Sequence, residues 1–532
     1  MRRQKQFCFP GSLHTISVLP FPETFTMKFF LLYISLPLVH SYITWIGAVP
    51  LRKQIPWLQK LTGDICESPT LSDEMIQAAP EVMKGWATAK KHSAENAVAV
   101  ERLIKRLVDE SEAGNAKATP RTDDYNCMLE GWARSGEGVF AAERCEQILT
   151  QMQARFEEGD VNVQPDLSSF KVVIMAWRQS QADFSAVRAQ RILEWMVELY
   201  KNGKNDLALP DSDCFDIVLQ CWARNRLPHA PLRAEKLLGM METLHRATES
   251  SKLRPRTLSF NAVLSAWGKS KDEDAWKRSL EILSFMEKLH SVEKNDRVAP
   301  DLISYHIVLG ALAREGSTKS AASDADSIMR TIERQYKEGT LSFKPDTILF
   351  NSAIGLWSKS TESSAYRKAR SLLDRQLNLF QGGCEECRPD VVGFTSVISS
   401  CASEPGNREE RQKAFNVALS TFQQLTARSA DFGEPNHVTY GAMMKACARL
   451  LPPGSLERSK WTKQIFDDCV SKGLAGDMVL SKLREAATND EYRQLMQGHS
   501  KGSIPKSWYI NVQERSEYRR KVQGSNRRRA AV

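Results

Sequence analysis

Tryptophan recurs along this chain at an almost constant interval. Six of the twelve tryptophans are spaced 46, 45, 45, 45 and 90 residues apart, namely Trp86, Trp132, Trp177, Trp222, Trp267 and Trp357. Leu312 lies at the position that the double interval skips, and Cys401 and Cys447 continue the spacing. A fixed period of this size is the sequence signature of a stacked-repeat protein. The chain is therefore predicted to be one modular array and not a set of unrelated globular domains.

Other features keep the same period as the tryptophans. Each unit opens on an aromatic residue and a variable residue, at Tyr125-Asn126, Phe170-Lys171, Phe215-Asp216, Phe260-Asn261, Tyr305-His306, Phe350-Asn351, Phe394-Thr395 and Tyr440-Gly441. Apolar residues then recur three and four apart, as in an amphipathic helix. A second helical stretch follows, and the unit closes at Pro120-Arg121, Pro165-Asp166, Pro210-Asp211, Pro255-Arg256, Pro300-Asp301, Pro345-Asp346, Pro389-Asp390 or Pro435-Asn436. Proline stops the second helix, and the residue beside it caps the next helix.

These signals predict an all-α fold, an α-solenoid superhelix of antiparallel helix pairs. About nine pairs are expected from about Ile76 to Asp477. One pair is too small to bury its apolar faces alone, so neighbouring pairs must stack into a continuous core. The first pair is degenerate, because Ala79-Pro80 replaces the aromatic pair, as is expected of a terminal repeat. The periodic tryptophans are predicted to pack in this core and not to stack on nucleic-acid bases.

The basic excess of the chain lies at its two ends. The formal net charge is +9, but residues 1–63 carry +6 and residues 501–532 carry +7, which leaves −4 for residues 64–500. The overall charge is therefore no direct evidence for a nucleic-acid partner of the array. The composition, 42% hydrophobic and 26% charged, excludes collagen, global disorder and a polytopic membrane protein. The eleven scattered cysteines favour a reducing compartment.

Residues 1–63 are predicted to be a targeting segment that is removed. The stretch is basic, poor in acids and dotted with Ser and Thr, which is typical of an organelle presequence. Met27-Lys28 and the uncharged run 29–51 give a second interpretation, a signal peptide that starts at Met27. A membrane anchor is a third interpretation, because the run is long enough to span a bilayer, although Pro37 and His40 disfavour it. A structured start of the chain is a fourth.

The remaining boundaries follow from the repeats. After the leader we assign a lead-in with the degenerate first repeat, the array, and a capping helix with a basic tail, at 64–121, 122–477 and 478–532. The capping helix is expected over Met478–Gln497. Ile504–Trp508 is expected to be extended and to dock, and Arg515–Arg529 to be a basic arm.

One combination of residues recurs most clearly in two units. Ser259-Phe-Asn-Ala-Val-Leu-Ser-Ala-Trp267 and Leu349-Phe-Asn-Ser-Ala-Ile-Gly-Leu-Trp357 open a helix on aromatic-Asn, and both units close on Pro-Asp. This signature resembles the pentatricopeptide repeat, and the resemblance extends over most of the chain. The units here run 44 to 46 residues, longer than the usual repeat of the family. The surplus lies mostly after the second helix, and we expect a longer second helix or an outer loop to absorb it.

The resemblance implies a function. Pentatricopeptide repeat proteins bind single-stranded RNA in organelles, and one repeat faces one nucleotide. In the family, the residue after the aromatic residue and the last residue of the unit choose the base. The resemblance therefore implies base-reading residues at Asn126, Asp166, Asn261, Asp301, His306, Asp346, Asn351, Asp390, Thr395 and Asn436.

Individual pairs imply individual bases. The three Asn-Asp pairs, in the second, fifth and seventh repeats, resemble the uracil-reading pair of the family, and Thr395 with Asn436 resembles the adenine-reading pair. Three other pairs match neither, namely Lys171 with Asp211, Asp216 with Arg256 and His306 with Asp346. If RNA runs 5′ to 3′ along the chain, repeats two to eight read 5′-U-N-N-U-N-U-A-3′.

Two further positions are implied by the resemblance. The second residue of each unit wedges between bases in the family, and it is apolar at Leu258, Ile303, Ile348, Val392 and Val438. Because earlier units carry Asp123, Ser168 and Asp213 there, binding is expected to concentrate from about residue 257 onward. A basic residue eight positions after the base-reading residue is implied to contact phosphate, at Arg134, Arg224, Lys269, Arg314, Lys359 and Arg449. Alternatively, the apolar residues are ordinary first-turn residues, and each cation satisfies the C-terminal dipole of its helix.

No catalytic motif is found. None of the nine histidines is followed two residues later by Glu, as a zinc deaminase requires, and there is no phosphate-binding glycine loop. The segment after Asp477 is too short for an appended metallonuclease domain with clustered aspartates. Cys384 and Cys387 have the spacing of zinc ligands, but no second pair or histidine lies near them in the sequence. We therefore expect a protein that is not an enzyme and holds no cofactor or metal.

The sequence thus predicts a sequence-selective single-stranded RNA-binding protein of the mitochondrial matrix or plastid stroma, acting in RNA processing, stability or translation. The expected partners are organelle RNA and a processing enzyme or the ribosome. Neither a small-molecule substrate nor, after leader removal, a membrane is expected. Two alternatives are an α-solenoid scaffold that binds proteins and a ribosome-associated protein. The alternation of Asn with a terminal Asp favours RNA, because a scaffold has no need of that pattern.

Overall fold

The computed structural model describes residues 51–89, 93–315, 319–499 and 504–512. Within these ranges the chain forms α-helices and short 3-10 turns, and no β-strand. The helices are α1 (Leu51–Glu67), α2 (Asp73–Thr88), α3 (Ala94–Glu112), α4 (Thr122–Arg134), α5 (Val139–Glu157), α6 (Leu167–Ser180), α7 (Ser185–Lys201), α8 (Ser212–Arg224), α9 (Ala230–Thr248), α10 (Thr257–Lys269), α11 (Ala275–Ser291), α12 (Leu302–Glu315), α13 (Lys319–Lys337), α14 (Thr347–Lys359), α15 (Ala365–Gln381), α16 (Val391–Cys401), α17 (Arg408–Ala427), α18 (Ser429–Phe432), α19 (His437–Leu450), α20 (Leu456–Ser471), α21 (Asp477–Ala486) and α22 (Asn489–Leu495). None of these helices is long and apolar enough to cross a membrane.

The described residues fall into two compact units that divide between Pro165 and Asp166. In the N-terminal unit, α2 with α3 forms the first repeat, α4 with α5 forms the second, and α1 packs on α2 and α3. In the C-terminal unit, the first helices α6, α8, α10, α12, α14, α16, α19 and α21 pack against one another in that order. Each second helix packs against the first helices of its own and the following repeat. This two-layer stacking is the helical solenoid that the sequence predicts, and the short pair α21 and α22 extends it beyond nine repeats.

Where a repeat closes on Asp or Asn, that residue caps the first helix of the next repeat, whereas Arg121 and Arg256 make no such side-chain bond. Asp211 Oδ1 accepts the backbone N–H of Cys214 at 2.9 Å, and Asp346 Oδ1 accepts that of Leu349 at 3.0 Å. The first N–H groups of a helix have no partner inside the helix, so a carboxylate there stabilises the helix start. The predicted caps are confirmed at Asp166, Asp211, Asp301, Asp346, Asp390 and Asn436.

The periodic tryptophans lie in the core, as predicted. All six are between 0% and 7% exposed. Trp267 Nε1 donates to Glu235 Oε1 at 2.8 Å, and the same oxygen accepts Arg278 Nε at 2.8 Å. The cluster therefore joins α9 to both helices of the next repeat. Trp222 Nε1 makes the equivalent bond to Gln190 Oε1 at 2.8 Å, so the indole needs an acceptor there but not a charge.

The surplus residues of the long repeat lie mostly where the sequence predicts. The second helix α11 has 17 residues and α17 has 20, and a 3-10 turn after α11 buries Val298. The hydroxyl of Thr257, at the start of α10, donates to the carbonyls of Arg297 at 3.1 Å and Ala299 at 2.8 Å beside that turn. The same bonds are made by Thr122, Ser212 and Thr347. The extra segment is thus fastened to the first helix of its own repeat.

The last residues of the predicted leader are helical, and the boundary of the leader stays a prediction. Residues 51–63 belong to α1, in which Leu58 is buried and Thr62 Oγ1 accepts Trp86 Nε1 at 2.9 Å. These contacts make the segment part of the first repeat's packing. Residues 1–50 of the predicted leader and the basic arm lie outside the described residues.

The single capping helix expected over Met478–Gln497 is wrong, because two short helices occupy this segment. Thr488 and Glu491 form a capping box, in which Glu491 Oε2 accepts the N–H of Thr488 at 2.8 Å and a new helix starts. The 504–512 segment docks as predicted, although as a 3-10 turn and not extended: the carbonyl of Trp508 accepts the N–H of Ala475 at 2.7 Å.

We predict that Glu235→Ala lowers the free energy of unfolding by about 1–2 kcal/mol, because the indole N–H of Trp267 loses its acceptor. Glu235→Gln should retain most of the stability, since Gln190 fills this role for Trp222. Thermal melts of the two variants check this. The control is Glu281→Ala, which removes only an exposed ion pair with Arg278 and should change stability by less than about 0.5 kcal/mol. Equal losses in all three variants would contradict the prediction.

Candidate nucleic-acid interface

The variable residue of a repeat contacts the residue that closes the same repeat. Asn261 Nδ2 donates to Asp301 Oδ1 at 3.0 Å, and His306 Nε2 lies 3.0 Å from Asp346 Oδ1. The first member lies on a first helix and the second caps the following first helix, so helix stacking brings the two together. The structure thus pairs these residues as the sequence predicts. Their role in reading bases stays a prediction.

The charge of Asp346 is held by its neighbours. Burial acts to raise the pKa of this carboxyl, but hydrogen bonds from His306 and from the N–H of Leu349 outweigh it and lower the pKa. Asp346 is therefore ionised at neutral pH. Its carboxylate accepts a ring N–H of His306 and so orients the imidazole.

A third residue, which the sequence analysis missed, completes the pair in the fifth repeat. Ser304 lies three residues after the closing Asp301, and its hydroxyl lies 2.6 Å from Asn261 Oδ1 and 2.9 Å from Asp301 Oδ1. Ser304 is fully buried. The amide of Asn261 is therefore fixed at both ends, by a donor on its oxygen and an acceptor on its nitrogen.

The seventh repeat has the same Asn-Asp pair without this third residue. Asn351 Nδ2 donates to Asp390 Oδ1 at 3.0 Å, but Gly393 lies where Ser304 lies in the fifth repeat. Asn351 Oδ1 is buried without a hydrogen-bond partner, and a Cβ on Gly393 would lie 2.7 Å from it. The predicted uracil-reading residues (readers) Asn261 and Asn351 therefore differ in the hydrogen bonds of their side-chain amides.

The eighth repeat is connected through hydroxyl groups. Thr395 Oγ1 lies 2.7 Å from Thr439 Oγ1, which in turn lies 3.2 Å from Asn436 Oδ1. The structure thus brings Thr395 and Asn436 together through Thr439, and not in a direct bond. Thr439 is the counterpart of Ser304, three residues after the closing residue.

The two predicted base-reading residues of the second repeat lie in different compact units. Asn126 lies on α4 in the N-terminal unit, and Asp166 caps α6 in the C-terminal unit, where its Oδ1 accepts the N–H of Ser169 at 2.9 Å. Their predicted joint role remains an expectation from the sequence.

The third and fourth repeats carry ion pairs at the same positions. Lys171 Nζ lies 3.2 Å from Asp211 Oδ2, and Arg256 Nε lies 3.2 Å from Asp216 Oδ2. Asp213, in the first turn of α8, contacts both cations. These residues match neither implied pair of the family, and in the structure they form ion pairs with one another.

The predicted wedging residues are exposed on the first turns of their helices. Their exposed fractions range from 43% to 58%, for Leu258, Ile303, Ile348, Val392 and Val438. Each precedes the variable residue by three positions, so the aliphatic and the polar residue share one face of the helix. Exposed aliphatic residues in such a row leave apolar surface for a ligand to cover.

The cations predicted to contact phosphate are all exposed. Lys269 Nζ donates to the carbonyl of Ala223 at 2.7 Å, and Lys359 Nζ donates to that of Ala313 at 2.9 Å. Both carbonyls lie at the end of the preceding first helix. Each lysine therefore lies at a helix C-terminus, as in the alternative interpretation, but at that of the preceding repeat and not of its own helix. An ammonium has three donors, so each lysine retains two N–H groups for another acceptor.

Cations of successive repeats lie close enough to repel one another. The pKa of Lys269 is lowered, first by burial and then by the charges of Arg224 and Arg314, which lie in the preceding and following repeats. A row of like charges is electrostatically unfavourable unless an anion binds along it.

The two closely spaced cysteines do not form a metal site with other ligands. Cys384 and Cys387 are buried in a 3-10 turn, with their free thiols 2.8 Å apart. Burial raises the pKa of the Cys387 thiol. Across the part of the chain that the structure describes, no three His, Cys, Asp or Glu side chains could hold a metal ion together.

A pentatricopeptide repeat-containing protein of Arabidopsis thaliana is similar to part of this chain. The two are 26% identical over 141 residues, which are 26% of this chain and 21% of the relative. The match thus spans about a fifth of the relative's length. No protein-family model matches the chain.

We predict that Ser304→Ala weakens the first turn of α12, because Asn261 Oδ1 loses its donor. We expect the free energy of local opening to fall by about 1–2 kcal/mol, which corresponds to a five- to thirtyfold loss of protection from amide hydrogen exchange. Amide hydrogen exchange of the α12 first turn measures it. Ser304→Thr keeps the hydroxyl, as Thr439 does, and should retain the protection. Identical exchange in both variants would show that the hydroxyl is not needed.

Proposed function

We propose that the chain, which resembles pentatricopeptide repeat proteins in its stacked helix pairs and in part of its sequence, binds single-stranded RNA along the first helices of its C-terminal unit. One observation supports this most directly. Asn261, bonded to Asp301, is flanked in register by an exposed aliphatic residue of its own repeat, Leu258, and one of the next, Ile303. A nucleotide base has polar edges and apolar faces, so it matches a polar pair between two aliphatic side chains.

The same arrangement repeats through the later repeats. In the sequence register, His306 lies between the aliphatic residues Ile303 and Ile348. Likewise, Asn351 lies between Ile348 and Val392, and Thr395 lies between Val392 and Val438. A one-base-per-repeat arrangement requires this regularity. A surface for a folded protein partner would have no reason to alternate polar pairs with single aliphatic residues at a constant step.

The proposed contacts with the RNA backbone come from the cation row. After burial, the charges of Arg224 and Arg314 lower the pKa of Lys269, so cations of three successive repeats lie near one another. Phosphates along a single strand would relieve the repulsion, and this favours a polyanion as the ligand. The net charge of −4 for residues 64–500 makes this local row more significant, since the body is not basic overall.

We further propose an organelle role without catalysis. The basic, acid-poor composition of the first 63 residues motivates import into the mitochondrion or plastid. There the protein would protect a transcript, open a ribosome site or recruit a processing enzyme. Import of fusions that start at Met1 or Met27 tests this, and retention of both in the cytosol would exclude the organelle.

The RNA proposal is tested by gel shifts on 5′-U-N-N-U-N-U-A-3′. An RNA in which the three U and the A are replaced should bind at least about tenfold more weakly, because unmatched edges leave buried polar groups unpaired. Equal affinity for both RNAs would reject base reading, and no binding of either would reject the RNA function.

We predict that Lys269→Met reduces the salt dependence of RNA binding. Loss of one phosphate contact should lower the slope of log affinity against log salt by about 0.7. The control is Lys236→Met, an exposed lysine on the second helix α9, which should leave the slope unchanged. A thermal melt of each variant confirms that the fold is intact. Equal slopes for Lys269→Met and wild type would contradict the phosphate role.

A further inference from the structure

Five charged residues of the third and fourth repeats form one connected cluster. We call Lys171, Asp211, Asp213, Asp216 and Arg256 the charged cluster. Asp213 is at its centre: its Oδ2 lies 2.6 Å from Lys171 Nζ, and its Oδ1 lies 2.7 Å from Arg256 Nη2. Lys171 also contacts Asp211, and Arg256 also contacts Asp216. The cluster therefore connects the variable and closing positions of two successive repeats.

The ion pairs favour the charged forms of Asp213 and Lys171, whereas burial raises the pKa of the Asp216 carboxyl. Hydrogen bonds from Lys171 and Arg256 lower the pKa of Asp213, so it is ionised at neutral pH. Burial acts against the charge of Lys171, but its bonds to Asp213 and Asp211 outweigh burial and raise its pKa. A ligand would therefore have to separate ion pairs before it could use any of these groups, and separating partly buried ion pairs costs free energy.

The later repeats differ at the positions that Asp213 and Asp216 occupy in the fourth repeat. Asp213 lies where the fifth to ninth repeats have an exposed aliphatic residue, so the fourth repeat has a charge where they present apolar surface. Asp216 lies where the fifth and seventh repeats have Asn, and its carboxylate is buried and accepts the hydroxyl of Ser259. The fourth repeat therefore presents neither an aliphatic residue nor an amide to a base, and in the third repeat the variable residue is Lys171, which is paired with Asp211 and Asp213.

We propose that the charged cluster closes the third and fourth repeats to bases, so that the RNA track contains two positions that accept any nucleotide. This inference rests on the proposed RNA function and deepens it. The closed repeats act as a spacer that adds no base selectivity at these two positions. Asp213 is the residue that determines this, because it alone contacts both cations of the cluster.

The experiment measures affinity for RNAs in which each position of the target is changed to all four bases in turn. With the wild-type chain, changes at the second and third nucleotides should alter affinity by less than about twofold. Changes at the fourth and sixth, opposite Asn261 and Asn351, should lower it by at least about tenfold. A preference at the second or third nucleotide as large as that at the fourth would overturn the inference.

A designed variant tests the cause. Lys171→Asn, Asp213→Ile, Asp216→Asn and Arg256→Asp together give both repeats the Asn-Asp pair and the fourth repeat its aliphatic residue. This variant should gain at least about fivefold preference for uracil at the second and third nucleotides. No new preference, in a variant that melts cooperatively and still discriminates at the fourth nucleotide, would overturn the inference.

The outcomes separate the two proposals. If the wild-type chain binds no RNA, the proposed function fails and the inference fails with it. If it binds RNA with selectivity at the third and fourth repeats, only the inference fails. If the designed variant does not fold, the wild-type panel alone still decides.

Discussion

In the third, fifth, sixth and seventh repeats the aspartate that closes the repeat has two partners, and the stacking of these repeats depends on both. Asp301 accepts the backbone N–H of Ser304 at 2.8 Å and so caps the next first helix. The same carboxylate oxygen accepts Asn261 Nδ2 at 3.0 Å. Because one carboxylate serves both contacts, the start of one helix and the orientation of the preceding repeat's reader are fixed together. A change in helix stacking would therefore displace the reader, and this couples the solenoid geometry to the proposed RNA contacts.

The long repeat keeps this coupling intact. Its extra residues lengthen the second helix and form a 3-10 turn, which the hydroxyl of Thr257 binds back to the first helix of the same repeat. The insertion is thus absorbed on the side of the second helices, while first helices still pack directly on one another. The Trp267–Glu235–Arg278 contacts join successive repeats on that same side. The direct packing of the first helices therefore keeps the base-reading positions of successive repeats adjacent.

The sequence predicts the helix pairs, the caps and most reader pairs, because residues one repeat apart become neighbours when helices stack. It did not predict Ser304 as a third member, since that contact depends on side-chain geometry in the first turn and not on the period. Nor did it predict that Asp213 would connect Lys171 with Arg256, because ionic contacts across repeats are not periodic. Nor did it predict that the end of the proposed leader forms α1, in which Leu58 is buried. The C-terminal helix is divided at Thr488, because the capping box of Thr488 favours the start of a new helix over continuation of the preceding one.

Crosslinking of bound RNA in cells, followed by identification of the crosslinked peptides and sequencing of the RNA, tests the central claim most directly. The account predicts crosslinks within the first helices α10, α12, α14, α16 and α19, on RNA enriched in uracil at the spacing of the fifth and seventh repeats. Fewer crosslinks are expected in α6 and α8, where the charged cluster occupies the reader positions. Crosslinks confined to the second helices, or recovery of protein partners without RNA, would contradict the account.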